Sequence, residues 1–435
     1  MNPLLVNTSA TGGAAKSCLR LHDGLLKQKT NSTLLIKSGK AELPAVHVFS
    51  SSSKKIKKRL RGRFSQMLRN YGVGPAISSK NRKALAMSRP KGLEYYSFPQ
   101  SSFDITKTSA YEDADIINLH WVADFLDWKS FFKRNTKPVV WTLHDQNPFL
   151  GIDHYDERFL GIDDRGHPIP RERTALEQEI EARACAIKKE ILAQVDNLSI
   201  VTPSKWLYES SRKSDLFGRF PHHHIPYGYD TSIFKPYDKG VCREILGLPQ
   251  DKILLLFVSD LVGNNRKGFA YLLRAIEQLS ESMLAKVSLC SIGAGSIASN
   301  SKYAESVTQL GQIHDERLMA MAYSAADAFV IPSLEDNLPN TMIEALLCDT
   351  PVIGFNAGGI PEAVIDGVNG YICPEISVSS LSQTIEKFID KPHAFKEREI
   401  ATRANDEYSL EKQAVAYDTL FRQILASGPN LVVRS

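Results

Sequence analysis

Short apolar runs alternate with helical patterns along most of the chain, and the alternation occurs twice. The first half contains "PLLVNT", "ADIINLHW", "KPVVWTLHD" and "NLSIVTPS", and the second half contains "KILLLFVSD", "KVSLCSIGAG", "DAFVIPS" and "PVIGFN". Strands that alternate with helices form parallel sheets with helices on both faces. The chain is therefore predicted to be an α/β protein with two doubly wound, Rossmann-like domains, as its 435 residues also suggest. The Pro- and Gly-containing polar stretch 226–240 marks the break between them.

Ligands of open parallel sheets bind beyond the carboxyl ends of the strands, so the residues that follow the apolar runs are the first candidates. Gly12 and Gly13 follow the first run. Adjacent glycines let backbone N–H groups approach an anion or a sugar at a helix N-terminus, although a tight turn explains them equally well. His120 and His144 end two later runs. Each could exchange a proton or be a buried, hydrogen-bonded histidine, and the pattern favours burial for His144.

The loop "VSDLVGNNRKGF" joins a predicted strand to a predicted helix in the second half. Arg266 and Lys267 lie where that helix begins, beside its free N–H groups. A diphosphate suits such a place, because a lysine can act as a point charge on a leaving group. A solvated basic pair is the alternative.

The stretch "SLEDNLPNTMIEALLCDTPVIGF" contains two carboxylates, Asp336 and Glu344, around a Pro that can begin a helix. A general acid would need an apolar pocket that raises its pKa, whereas a helix N-terminus favours the charged form. An ionised carboxylate accepts hydrogen bonds from vicinal hydroxyls. We therefore expect these carboxylates to hold hydroxyl groups, with a helix cap plus a surface Glu as the alternative.

The net charge of +4 is unevenly distributed. Residues 43–93 contain thirteen Lys or Arg and no Asp or Glu, which leaves 40 basic and 49 acidic residues elsewhere. Within this segment, residues 54–71 have apolar side chains at helical spacing, as in a basic amphipathic helix. Such a helix binds an anionic membrane surface, or packs on a core with its basic face in solvent. Nucleic acid is not expected, because no base-stacking aromatic set accompanies the charge.

Cysteine and histidine spacing does not predict a metal site. The six cysteines form no CxxC pair, which is typical of reduced thiols in a cytosolic protein. His222 and His224 share one side of an extended segment, but no carboxylate or Cys partner has metal-ligand spacing. No apolar run reaches the roughly 18 residues that a membrane span needs, and the N-terminal stretch does not resemble a signal peptide. We therefore expect a cytoplasmic location.

Several quoted stretches resemble glycosyltransferase family four, the retaining GT-B transferases that use nucleotide sugars. They are "TSATGGAAKSCLRLHDGL", "ADIINLHWVADFL", "WTLHDQNPFLG", "RKGFAYLLRAI" and "YSAADAFVIPSLEDNLPNTMIEALLCDTPVIGFNAGGIPEAVIDGVNGYI". The resemblance is weak over residues 40–110 and strong over 260–375, and it points to the colanic-acid and exopolysaccharide subgroup.

The resemblance implies a GT-B fold, in which two domains face a cleft. Residues 1–230 would form the acceptor-side domain, residues 231–408 the donor domain, and residues 409–435 a helix that crosses back. The enzyme would move a sugar from a nucleotide sugar to a saccharide or lipid-linked saccharide, at the inner face of the membrane or in the cytoplasm. No metal or other cofactor is implied.

The resemblance also implies roles for individual residues. Those near the transferred sugar and the leaving group would be His120, Lys267 and Asp336. Those that bind the donor would be Gly12, Gly13, Arg266, Lys267, Asp336, Asn337, Leu338, Pro339 and Glu344. In detail, Asp336 would hold sugar hydroxyls beside the N–H groups of 337–339, and Glu344 would hold the ribose. Lys267, with Arg266, would neutralise the diphosphate.

The chain departs from the family pattern in two places. Position 336 is Asp where the family usually has Glu, and the loop before Arg266 lacks a second basic residue that the family often has. The alternatives are a GT-B sugar-nucleotide epimerase or hydrolase, a sugar phosphorylase, and a non-catalytic GT-B partner protein. Retention of Lys267 and Glu344 argues against the last of these, and Asp336 is the best argument for it.

Overall fold

The structure, a computed structural model, describes residues 1–49, 77–295, 303–395 and 398–427. In the first half of this described part, the strands are β1 (Pro3–Ser9), β2 (Thr33–Ser38), β3 (Val46–Val48), β4 (Ile116–Leu119), β5 (Val139–Thr142), β6 (Phe159–Ile162), β7 (Pro168–Pro170), β8 (Leu198–Thr202) and β9 (His222–His224). Seven of them form a parallel sheet in the order β3-β2-β1-β4-β5-β8-β9. Strand β1, in the interior of this sheet, is apolar on both faces, with Leu4, Leu5 and Val6 fully buried, as a helix-covered sheet requires.

Helices connect these strands and cover the sheet. They are α1 (Gly13–Lys27), α2 (Ser79–Ser88), α3 (Ser109–Glu112), α4 (Trp128–Arg134), α5 (Ala175–Leu192) and α6 (Lys205–Arg212), with a 3-10 turn at Ile105–Lys107. Several of these helices have a side-chain cap at the N-terminus. At the start of α5, Thr174 and Glu177 form a capping box in which each side chain accepts the other's backbone N–H. Because α1 begins directly after β1, its N-terminus lies at the carboxyl edge of the sheet.

The second sheet repeats this architecture. Its strands are β10 (Ile253–Leu261), β11 (Val287–Ala294), β12 (Thr308–Gln309), β13 (Ala328–Ile331), β14 (Val352–Phe355) and β15 (Gly370–Cys373), in the order β12-β11-β10-β13-β14-β15. All its pairings are parallel in the described residues. The predicted α/β fold with two doubly wound sheets is confirmed.

The helices of the second half are α7 (Lys239–Leu246), α8 (Phe269–Glu277), α9 (Glu281–Leu284), α10 (Glu316–Ala325), α11 (Asn340–Leu347), α12 (Ile360–Ala363), α13 (Val378–Asp390), α14 (Glu399–Tyr408) and α15 (Leu410–Ser427), with 3-10 turns at Asn265–Lys267 and Ala304–Ser306. The last helix leaves the second domain and lies along α1. Tyr417, Leu420 and Phe421 share a buried cluster with Leu21 and Leu25. This packing ties the end of the described chain to the first sheet.

An antiparallel pair, β6 and β7, lies outside both parallel sheets and was not predicted. It extends from the first domain onto the second. Val378 N donates to Gly166 O at 3.1 Å, and Asn265 Nδ2 donates to Leu160 O at 2.9 Å. The hairpin therefore bridges the two domains, and an alternation of strands and helices does not reveal a contact of this kind.

Candidate functional site

Each sheet has one switch point, where connections to neighbouring strands leave in opposite directions. In the first sheet it lies between β1 and β4, and in the second between β10 and β13. Such points open a crevice at the carboxyl ends of strands and are where α/β proteins bind ligands. Gly12 and His120 follow the strands of the first switch point, and Lys267 and Asp336 follow those of the second. The predicted residues are therefore at the expected ends of the expected strands.

The two switch points are in direct contact across the cleft. Asn340 Nδ2, at the start of α11, donates to Gly13 O at 3.0 Å, and Asn340 Oδ1 accepts from Ser17 Oγ at 3.1 Å. Asn340 Oδ1 also accepts from Tyr229 OH at 2.7 Å. The glycine turn after β1 thus lies beside the N-terminus of α11, where free N–H groups favour negative charge.

Asp336 lies at the centre of the second switch point. Its Oδ2 is 2.6 Å from Lys267 Nζ and 3.3 Å from Arg266 Nη1, and its side chain is buried. Burial disfavours the charged form, but the two cations outweigh that effect and lower the pKa of Asp336 below its ordinary value. Asp336 is therefore ionised at neutral pH and can accept hydrogen bonds but cannot donate a proton.

Two glycines allow the loops of this site to approach each other. Gly268, directly after Lys267, has a φ of 72°, and a Cβ there would lie 1.8 Å from Pro332 O. Gly358 has a φ of 56°, and its Cβ would lie 1.8 Å from Asp336 O. Only glycine fits at such distances, so these two residues hold the basic pair and the carboxylate against each other.

Arg266 contacts the first domain. Its Nη2 lies 2.8 Å from Glu94 Oε1, its Nη1 donates to Glu335 O at 2.8 Å, and its guanidinium is 4.0 Å from the ring centroid of Tyr155. Burial raises the pKa of Glu94, but Arg266 overcomes this and lowers it to about 2. Arg266 therefore joins the domains, whereas Lys267 is 25% exposed and is the cation of the pair that a ligand can reach.

Glu344 lies one helical turn into α11, in a second buried ion-pair network. Its Oε1 is 2.7 Å from Arg20 Nη2, and its Oε2 accepts from Tyr323 OH at 2.9 Å. Arg20, on α1, also lies 2.6 Å from Glu316 Oε1 and 4.6 Å from the ring centroid of Tyr229. Each carboxylate oxygen has a further lone pair, so a ribose hydroxyl would share Glu344 with these partners.

The residues between the two carboxylates have separate functions in the fold. Asn337 Oδ1 accepts from Ser204 Oγ at 2.5 Å, and its Nδ2 donates to His144 O at 3.2 Å, so this side chain also joins the domains. Leu338 is buried in the core of the second domain. Pro339 caps α11 with a φ of −59°, the value that its ring favours.

His120 belongs to a buried chain of hydrogen bonds. Its Nε2 lies 3.0 Å from Asn118 Oδ1, and its Nδ1 lies 3.0 Å from His144 Nε2. His144 Nδ1 in turn lies 2.7 Å from Tyr227 OH. Burial lowers the pKa of His120 well below its ordinary value and that of His144 to about 4. Both imidazoles are therefore neutral at pH 7, and both ring nitrogens of His120 already have partners.

A histidine whose pKa is shifted in the opposite direction lies next to this neutral pair. His154 Nδ1 is 2.6 Å from Asp145 Oδ2, and its Nε2 is 2.7 Å from Ser97 Oγ. Burial alone would lower the pKa of His154, but Asp145 raises it above the ordinary value. The order Ser, His, Asp resembles a nucleophilic triad. Because Ser97 is completely buried, this arrangement is structural.

Sequence patterns did not identify three residues of the site: Arg20, Glu94 and Tyr155. Arg20 had a weak sequence signal, because this charged residue lies on the same face of α1 as Ser17 and Gly24, which are buried. Glu94 is the first acidic residue after the basic segment. We found no comparable signal for Tyr155.

Other sequence predictions have different outcomes. The predicted amphipathic helix at 54–71 lies outside the described residues. Searched over the described ranges, the fold brings no three His, Cys, Asp or Glu side chains together as metal ligands. In the same part of the chain, no helix combines the length and the hydropathy needed to span a bilayer.

Comparison with known proteins shows which family the second domain is similar to. Residues 252–391 match the family described as "Glycosyl transferases group 1". Over these residues, the second domain is similar to group 1 glycosyltransferases. The match contains the second switch point, including Lys267, Asp336 and Glu344.

Curated relatives extend the similarity toward the first domain. A D-inositol 3-phosphate glycosyltransferase from Streptosporangium roseum is 27% identical over 296 residues, which cover 64% of this chain. The protein of the same name from Mycolicibacterium smegmatis is 29% identical over 187 residues, or 41% of this chain. The matches span 62% of the length of the first relative and 42% of the second. The colanic-acid subgroup does not appear in these names.

Solved structures match the whole fold. Sucrose-phosphate synthase from Thermosynechococcus elongatus has a TM-score of 0.66 at 18% identity, covering 98% of this chain and 100% of that one. Anabaena HepE, solved in complex with UDP-glucose, has a TM-score of 0.60 at 15% identity, covering 97% of this chain and all of that one. The chain therefore has the GT-B fold.

Proposed function

We propose that the protein is a retaining glycosyltransferase that moves a hexose from a nucleotide sugar to a saccharide or lipid-linked saccharide. The observation that carries this proposal is the pairing of Lys267 with ionised Asp336 at the second switch point, opposite the glycine turn of the first domain. The group 1 match of the second domain supports it. A nucleotide sugar carries a diphosphate that a lysine can bind and hydroxyls that can donate hydrogen bonds to a carboxylate.

The charges suggest how the donor would bind. The diphosphate would lie near Lys267 and the N-terminus of α11, where both the ammonium group and the backbone N–H groups favour negative charge. Asp336 would accept hydroxyl hydrogen bonds from the transferred sugar, because its low pKa keeps it ionised. Glu344 would accept from the ribose, sharing its oxygens with Arg20 and Tyr323.

The proposed reaction breaks the bond between the anomeric carbon and the diphosphate oxygen. Positive charge develops on the sugar ring as in other glycosyl transfers, and negative charge develops on the leaving diphosphate. Lys267 would stabilise that negative charge. The acceptor oxygen adds to the face that the diphosphate leaves, and its proton passes to the departing phosphate oxygen. His120 would face the transferred sugar with its neutral ring rather than act as a base, because both ring nitrogens have protein partners.

The finer parts of the proposal rest on the sequence resemblance. A role in bacterial surface or exopolysaccharide synthesis, on the cytoplasmic side of the membrane, follows from the similarity to the colanic-acid subgroup. The relatives' name suggests a different acceptor, an inositol phosphate. An epimerase or hydrolase would also bind the donor here, but burial lowers the pKa values of His120 and His144, which makes both imidazoles weak bases at neutral pH.

A donor screen followed by product analysis tests the proposal. Thermal shifts with UDP-, GDP-, ADP- and dTDP-sugars should identify one base whose sugars stabilise the protein. With that donor and no acceptor, slow release of nucleoside diphosphate is expected. With an acceptor, NMR should show that the anomeric configuration of the donor is retained. Sugar 1-phosphate and nucleoside monophosphate as products would contradict a transferase.

A further inference from the structure

Glu94 is a charged residue of the first domain that the proposed mechanism does not use, although its carboxylate contacts the second domain. Its Oε1 accepts from Arg266 Nη2 at 2.8 Å and from Asn264 Nδ2 at 3.0 Å. Both partners lie in or directly before the 3-10 turn that carries Lys267. The carboxylate of Glu94 therefore reaches the cation next to the one that is assigned to the diphosphate.

The backbone of Glu94 is fixed from within the first domain. Its N–H donates to Glu157 Oε1 at 2.7 Å, and its C=O accepts from Arg89 Nε at 2.7 Å. Arg89 and Glu157 form an ion pair with each other, and their side chains are only 7% and 1% exposed. Because breaking a buried ion pair is costly, this support holds Glu94 in one place relative to the first sheet.

Both terminal nitrogens of Arg266 are bound by protein oxygens. Nη2 donates to Glu94, whereas Nη1 donates to Glu335 O at 2.8 Å and lies 3.3 Å from Asp336 Oδ2. The guanidinium also packs 4.0 Å from the ring centroid of Tyr155. An arginine typically binds a phosphate through two parallel N–H bonds. A phosphate that bound Arg266 in this way would first have to displace these protein partners.

Arg266 and Lys267 lie close enough to act on the same ligand group, because both contact one oxygen. Lys267 Nζ is 2.6 Å and Arg266 Nη1 is 3.3 Å from Asp336 Oδ2. With Glu94 in place, the two cations have two carboxylates as counter-ions. Without the charge of Glu94, both cations would share Asp336, and Arg266 would be drawn toward a diphosphate bound at Lys267.

We propose that Glu94 is a positioning residue of the donor site, which retains Arg266 at the domain interface so that Lys267 alone of this pair binds the diphosphate. The inference rests on the proposed function and deepens it. It replaces the sequence-based expectation that Arg266 helps to neutralise the diphosphate. It also gives the first domain a part in product release, because a nucleoside diphosphate held by one cation dissociates more readily than one held by two.

Isothermal titration calorimetry on the full chain tests this role with pyrophosphate, UDP, GDP, ADP and dTDP as probes. Glu94→Gln keeps an oxygen for the two hydrogen bonds but removes the charge. It should bind pyrophosphate and the recognised nucleoside diphosphate about tenfold more tightly, the low end of what a hydrogen bond to a charged group contributes. In turnover assays, the inhibition constant of the nucleoside diphosphate product should fall by the same factor.

Two further variants show whether the effect acts through Arg266. Arg266→Gln and the double variant Glu94→Gln/Arg266→Gln should both bind the probes like wild type, because Arg266 does not bind the diphosphate while Glu94 holds it. Asp196→Asn is the matched control, since it also removes one negative charge from the first domain, at a side chain that is 76% exposed. It should leave the affinities unchanged.

Equal or weaker diphosphate binding by Glu94→Gln would overturn the inference, as would a loss of affinity in Arg266→Gln. The second result decides the matter if Glu94→Gln does not fold. Sugar transfer with the same product affinity in wild type and Glu94→Gln would refute the role of Glu94 and leave the proposed function standing. Tighter pyrophosphate binding by Glu94→Gln, with no nucleotide bound by either protein, would support that role and contradict the transferase. If neither protein bound any probe, both would be wrong.

Discussion

The burial of the Arg20–Glu344 ion pair predicts how much stability is lost when one partner is removed. The side chains of Arg20 and Glu344 are 9% and 3% exposed, and their atoms approach to 2.7 Å. Arg20→Met keeps the unbranched stem but leaves Glu344 buried without its cation. Removing one partner of a buried ion pair typically costs about 3–5 kcal/mol, because the remaining charge is uncompensated. Partly exposed Glu316 adds less, because solvent screens it.

A double-mutant cycle separates the uncompensated charge from lost packing. Glu344→Gln removes the charge but keeps an oxygen for the Tyr323 hydroxyl. The double variant Arg20→Met/Glu344→Gln should therefore be less destabilised than Arg20→Met alone, with a coupling of about 1–3 kcal/mol. Urea unfolding at pH 7, followed by tryptophan fluorescence, gives the free energies of unfolding. In the same series, Glu344→Gln should raise the donor's KM more than it lowers kcat, because the ribose does not react.

A matched control lies on the same helix. Lys27 pairs with Asp23 at 2.8 Å, but its side chain is 55% exposed. Lys27→Met should cost less than about 1 kcal/mol, the usual range for surface pairs. The reasoning is refuted if Arg20→Met costs no more than Lys27→Met, or if adding Glu344→Gln to Arg20→Met lowers stability further by its full individual cost.

Four further predictions address other parts of the chain. Lys267→Ala should lower kcat by about 10²–10³, the scale for losing one preorganised charge stabiliser, and an unchanged rate in a folded variant would assign that role to another cation. Asp336→Asn should lower kcat more than donor affinity and alter the choice among donor sugars, which steady-state kinetics with Asp336→Glu as comparison can check. The raised pKa of His154 stabilises the fold below its unfolded pKa of about 6.5, and this contribution is lost as pH rises through the folded pKa. His154→Asn should therefore cost more in urea unfolding at pH 6 than at pH 9, and a constant difference would contradict the ion pair with Asp145. The basic segment 43–93 should bind anionic liposomes and release them in salt, and equal binding to neutral liposomes would argue against an electrostatic surface.

The carboxylate pair shows what a local pattern can predict. Strand, loop and helix follow one another within "DAFVIPSLEDNLPNTMIEALL", so the sequence alone placed Asp336 before α11 and Glu344 on it. Parallel strands then bring their carboxyl ends to one edge, which placed Lys267 near Asp336 although 69 residues separate them. Sequence patterns could therefore predict positions within a single domain, because the repeated strand–loop–helix unit determines where each loop lies.

Contacts between the domains were decided only by the tertiary structure. Arg20 meets Glu344 across 324 residues, and Arg266 meets Glu94 across 172. The sequence predicted that Lys267, with Arg266, would neutralise a diphosphate, yet burial against Glu94 and Tyr155 separates Arg266 from the partly exposed Lys267. Periodicity within an element shows which face is buried, but not which residue of the other domain covers it. The covering residue depends on how the folded surfaces of the two domains pack together, because shape and charge must be complementary on both surfaces at the same time.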